Sequence, residues 1–141
     1  MKILLAVDGS KPSLDAVGCL IQHADWYREA PVVELVTVQP RLPQIPGLAS
    51  LGKSQIRKYY QDEGETRLAA AKKKLDAARI AYRAQVLVGA VAESLVKHAK
   101  TAGCDLICMG CRGMTGIAGV LLGSTATRVL NLTTLPVLLV K

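Results

Sequence analysis

A chain of 141 residues, half of them hydrophobic, can bury roughly 68–70% of its unfolded surface in one core, so residues 1–141 read as one domain that needs no metal or disulfide framework. Phenylalanine is absent and Trp26 is the only tryptophan, which leaves an aliphatic core of Ala, Val, Leu and Ile and argues against a disordered or fibrous chain. The net charge of +7 suits an anionic partner, but the basic residues are dispersed and only four tyrosines and one tryptophan could stack on bases, which argues against nucleic acid.

Lys2 to Val7 is a continuous apolar run, the pattern of a strand covered on both faces. It is too short for a secretory apolar segment and is followed by no cleavage site, so a cytoplasmic protein is expected. No stretch approaches the ~18 apolar residues of a membrane span. Asp8, Gly9 and Ser10 end the strand. Ser10 and Pro12 then open a helix carrying Leu14, Val17, Cys19, Leu20, Ile21 and Ala24 on its apolar side, expected to reach Arg28. Pro31 resets the chain, and Val32 to Val38 is the second strand. Pro40, Pro43, Pro46 and Gly47 make the next stretch a loop, long for an α/β connection, so Gln39 to Ser50 is a candidate gate.

A helix is expected from Ser50 to Ala81, with Gly64 a possible bend. Leu68, Ala71, Leu75 and Ala78 recur at helical spacing and leave Lys73 and Lys74 on a solvated face. Arg83 to Val88 reads as strand three, Ala92 to Thr101 as a helix ended by Gly103, and Asp105 to Met109 as strand four. The stretch 109–125, MGCRGMTGIAGVLLGST, leads into a helix from Ser124 to Leu132, and Pro136 to Val140 is strand five.

Strictly alternating elements predict a doubly wound, mostly parallel, Rossmann-like five-stranded sheet with helices on both faces. Ligands of such sheets bind beyond the carboxyl ends of the strands, where the winding direction switches, and Asp8, Val38 and Gly110 all end strands there. Glycines ahead of a helix let the backbone approach an anion that the first helical N–H groups then bind. The P-loop lysine pattern and the G-x-G-x-x-G fingerprint are both missing, so neither an ordinary NTPase nor an NAD enzyme is indicated.

Three of the four cysteines, Cys104, Cys108 and Cys111, crowd the glycine stretch. His23 and His98 lack zinc-like spacing to them, and Cys108 falls inside the strand pattern, so Cys108 reads as a core residue and Cys111 as a thiol near a ligand. The two histidines lie within predicted helices and read as surface or core residues rather than general bases.

Three segments carry a resemblance: VDGS after the first strand, GAVAESLVKHAKTAGCDLICMGCRG, and GSTATRVLNLTTLPVLLV. With G-x2-G-x9-G-[ST] met by Gly110, Gly113, Gly123 and Ser124, the whole chain resembles the ATP-binding branch of the universal stress protein family. The resemblance implies an adenine nucleotide alpha hydrolase-like fold and a non-enzymatic ATP-binding regulator of the stress response. Asp8 would face the nucleoside, Val38 would offer backbone hydrogen bonds to adenine, and Ala6 and Val7 would flank the base. Met109 and Gly110 would line the ribose, Gly113, Gly123, Ser124 and Thr125 would surround the phosphates, and Arg112 would add positive charge.

With few cations fixed near the phosphates, Mg²⁺ is an expected companion. The resemblance also implies a homodimer through Val137 to Val140. Alternatives are slow ATP hydrolysis or nucleotidyl transfer, or a preference for AMP or a cyclic nucleotide. Two departures stand out: Cys111 where the family often has serine or threonine, and the apolar insert MTGIAGVLL.

Overall fold

The computed structural model describes residues 1–42, 52–112 and 122–141; Gly113, most of the apolar insert and most of the expected gate lie outside the described residues. The elements alternate as β1 (Lys2–Ala6), α1 (Lys11–Gln22), β2 (Val32–Gln39), α2 (Lys53–Ala77), β3 (Tyr82–Val88), α3 (Val91–Thr101), β4 (Leu106–Gly110), α4 (Ser124–Leu132) and β5 (Val137–Val140). All five strands are parallel, in the order β3-β2-β1-β4-β5. This is the expected Rossmann-like sheet. Among the described residues no helix is long and apolar enough to cross a membrane.

Successive strand residues point to opposite faces, so a continuous apolar run feeds two cores. Ile3, Leu5, Val33, Leu35 and Cys108 pack with Val17 and Leu20 of α1 and Leu68 and Leu75 of α2. Leu4, Val36, Ile107 and Met109 pack on the other face with Leu95 and Ala99 of α3 and Ala126 and Val129 of α4. Cys104 belongs to the second cluster and Cys108 to the first, so the sheet itself separates two of the three crowded cysteines.

Several boundaries differ from expectation. α1 stops at Gln22, not Arg28: His23 caps it, its ring Nδ1 lying 2.8 Å from the Cys19 carbonyl, and a single 3₁₀ turn, Ala24–Trp26, follows. α2 is shorter at both ends than Ser50 to Ala81, starting after Gly52 and closing at Ala78, with Arg79 in the left-handed region at φ 55°. α2 runs unbroken through Gly64, which makes a close approach to the sheet, since a Cβ there would lie 2.4 Å from Val86 Cγ1 on β3.

At the amino-terminal end of the sheet the charges are mutually satisfied. Glu34, only 4% exposed in its side chain, meets Lys2 Nζ at 2.9 Å and His98 Nε2 at 3.3 Å. Lys2 also donates from Nζ to the Ala102 carbonyl and from its backbone N–H to Asp105 Oδ2. Burial pushes the Glu34 carboxyl up, but hydrogen bonds from Lys2 and His98 outweigh it and hold the group below its ordinary value.

Candidate functional site

The strand order reverses its direction of growth between β1 and β4, and at their carboxyl ends lies a cleft of about 310 Å³, within the size range of small-molecule sites. Ala6, Val7, Asp8, Val38, Met109, Gly110, Arg112, Gly123, Ser124 and Thr125 all line it. Ten of the eleven residues singled out from the sequence are thus brought together, and Gly113 lies outside the described residues. Ser13, Val36, Pro40, Arg67, Val91, Leu95, Cys111 and Ala126 line the cleft as well.

One side of the cleft is a strand edge. Val7 N–H donates to the Val36 carbonyl at 2.9 Å, and the β1–β2 register ends at Ala6 opposite Val36. In a strand the backbone groups alternate sides, so Val38 turns its N–H and carbonyl the same way as Val36, past the end of β1 and toward the cleft. Gln39, one residue on, faces the other way and accepts from Gly89 N–H at 2.9 Å. The lining around this edge is aliphatic: Ala6, Val36, Val38, Val91, Leu95 and Met109.

The opposite side is the start of α4. The N-cap is Gly123, with extended backbone at φ −71° and ψ 156°, and among the described residues no side chain caps the helix; Ser124 is its first helical residue, as expected. Gly123 N–H donates to the Cys111 carbonyl at 2.8 Å, and Cys111 N–H donates to the Val140 carbonyl at 2.7 Å. Cys111 and Gly123 are thereby tied to β5, and Ser124, Thr125 and Ala126, whose amides have no acceptor inside a helix, line the cleft at the positive end of the dipole. Cys111 lines the cleft but is only 6% exposed overall, and its backbone joins β5 to the residue before α4. Burial pushes the thiol of Cys108, within the core, up to about 12, which makes it a poor nucleophile.

Between these sides lies the turn after β1. Asp8 Oδ1 accepts from Ser10 N–H at 2.9 Å and from the Ser10 hydroxyl, and the Ser10 hydroxyl in turn accepts from Ser13 N–H at the start of α1. α1 is thus capped by the Ser10 side chain, whereas the N-cap of α4 is a glycine. Gly9 takes φ +84°, which glycine adopts without strain. Gly110 needs its missing side chain for a different reason. A Cβ there would come within 2.7 Å of the Pro12 carbonyl oxygen, so β4 lets the first turn of α1 settle directly onto the strand end.

The charged residues among the described lining are Asp8, Arg67 and Arg112, two cations against one carboxylate. Neither histidine lines the cleft: His98 sits at the other end of the sheet on Glu34, and the His23 ring lies 4.0 Å from that of Trp26.

Sheet order and cleft define an open, doubly wound α/β domain, a class in which ligands bind at the switch point. Sequence similarity narrows the class. The profile of the Universal stress protein family matches residues 1–141, and the chain belongs to that family. It is 34% identical to universal stress protein MJ0531 of Methanocaldococcus jannaschii over 99% of this chain and 81% of that protein. The solved structure of MJ0577, a universal stress protein of the same organism, superposes with a TM-score of 0.82 at 26% identity, covering 99% of this chain and 94% of the other. A universal stress protein solved in complex with cAMP has a TM-score of 0.65 at 28% identity, covering 99% and 95%.

Proposed function

We propose that this protein binds ATP in the switch-point cleft and acts as a cytoplasmic, homodimeric regulator in the stress response. The observation that carries the reading is that a single cleft joins the open backbone edge of Val38 to the glycine-capped start of α4. An adenine ring needs paired backbone donor and acceptor groups in an apolar slot, and phosphates need free N–H groups and positive charge. The two ends of the cleft offer these in turn, with Asp8 between them for the nucleoside hydroxyls. The cAMP complex of a 28% identical universal stress protein supports the adenine half of this ligand.

Asp8 is the only carboxylate among the described lining residues, and its Oδ1 already accepts from Ser10. An accompanying Mg²⁺ would therefore be held chiefly by the nucleotide phosphates, as is usual for this ion. The same lining offers no histidine to serve as a general base, which favours a binding protein over an enzyme. β5 lies at an edge of the sheet with its four residues only partly buried, an apolar strand that a second copy would cover.

Native mass spectrometry of the purified protein reads nucleotide and subunit count together. Two chains with adenine nucleotide support the proposal, and monomers that take up none on addition of Mg-ATP contradict it. Because of the cAMP-bound relative, AMP and cyclic nucleotide form the second reading, decided by competition against ATP. A hydrolysis rate above background that disappears with Ser124→Ala would overturn the non-enzymatic part.

A further inference from the structure

We propose that Arg67 of α2 covers the base of the bound nucleotide with the plane of its guanidinium, closing the nucleoside end of the cleft; this rests on the adenine-nucleotide reading above. No motif or spacing in the chain singles out Arg67, yet it lines the cleft.

Topology settles which end of a nucleotide it meets. α2 follows β2 and packs on the sheet face that carries α1, whereas α4 follows β4 and packs on the opposite face. β2 and β4 flank β1 on opposite sides. Arg67 and the first turn of α4 therefore stand at opposite corners of the cleft. A nucleotide whose phosphates lie at the start of α4 points its base toward the end of β2, where α3 brings Val91 and Leu95 from one face and α2 brings Arg67 from the other.

The side chain is held in place from two directions. A Cβ on Gly9 would lie 3.5 Å from Arg67 Cα and 3.7 Å from its Cβ and Cγ, so the stem rests on the turn beside Asp8. Nε donates to Glu63 Oε1 at 3.2 Å, one helical turn back, and the side chain is 22% exposed. α2 is itself locked to the end of β2, where Gln39 Nε2 donates to the Tyr60 carbonyl at 2.6 Å and Leu42 N–H donates to the Tyr60 hydroxyl at 2.7 Å.

The need for such a group comes from the rest of the lining. No described lining residue is aromatic, so a base in the aliphatic slot finds no ring to stack on. A guanidinium is planar, weakly hydrated and stacks on π systems. Arg112, the other guanidinium of the lining, directly follows the loop anchor Cys111 and belongs to the phosphate end.

The test titrates adenosine, AMP and Mg-ATP into the wild-type chain, Arg67→Ala and Arg67→Lys, each first checked for an unchanged thermal midpoint without ligand. Arg67→Ala is expected to weaken all three ligands by the same factor, roughly three- to thirtyfold. Arg67→Lys is expected to restore little, because an ammonium has no planar face. A loss that grows with phosphate number and is recovered by lysine would place Arg67 on the phosphates and overturn the proposal, as would unchanged affinities. If the folded wild-type chain binds none of the three, the nucleotide reading fails and this inference fails with it; if it binds and only the variants behave otherwise, the inference fails alone.

Discussion

The two ends of this sheet use charge in opposite ways. At the amino-terminal end Lys2, Glu34 and His98 satisfy one another and Asp105 receives the start of β1, so no ligand is needed to balance them. At the carboxyl-terminal end Asp8, Arg67 and Arg112 line a cleft of about 310 Å³, and α4 begins there with no side-chain cap among the described residues. The strands between are equally apolar, so the difference comes from the residues at and beyond the strand ends rather than from the body of the sheet. A closed end holds the fold, and an open end leaves donors available to a partner. Substitutions should separate accordingly, stability from one end and affinity from the other.

The largest expected effect is at the closed end. Glu34→Ala leaves Lys2 and His98 without their buried carboxylate and should lower the unfolding free energy by about 3 kcal/mol, the lower part of the range for a broken buried pair because Lys2 is partly exposed. Denaturant unfolding measures this, with nucleotide affinity unchanged. The pH dependence comes from the lowered carboxyl. Its contribution is complete above the ordinary value of 4.5 and is lost as pH falls through the lower folded value, so the gap between wild type and Glu34→Gln should close in acid below 4.5.

Gly110→Ala is the change that should blur the separation. Its Cβ would press on the Pro12 carbonyl, at a cost of about 1–3 kcal/mol, and the shift of α1 would carry the Asp8 turn with it. Unfolding and calorimetry should both report a loss. Arg112→Ala should sharpen the separation: Mg-ATP affinity falls about tenfold at low salt and less at high salt, while the thermal midpoint of the free protein stays put. The smallest effect is expected from Thr37→Val on β2. The Thr37 hydroxyl is buried with no hydrogen-bond partner among the described residues, so its removal should raise stability by up to about 1 kcal/mol in the same unfolding assay.

The alternation of apolar runs and helical spacing makes the five strands, four helices and parallel order legible in the sequence, because both periods come directly from backbone geometry. The meeting of Asp8, Val38 and Gly110 at one crevice is a consequence of that order alone. The reasons behind individual glycines are not legible. Gly64 and Gly110 are required by Val86 and Pro12, neighbours reached only after folding, and a glycine in a sequence does not say which atom it makes room for. Arg67 escapes a reading of the sequence because cleft lining by a helical residue depends on where the helix docks. The available clue is its place beside Leu68, the first residue of the Leu68, Ala71, Leu75 stripe.

That the open end holds an adenine nucleotide is tested most directly by calorimetric titration of the purified, nucleotide-free chain with Mg-ATP. Saturable binding of one nucleotide per chain is expected, with a Kd of about 1 μM or tighter. A folded protein that gives no binding heat at several temperatures, and whose thermal midpoint saturating Mg-ATP does not raise, would contradict it.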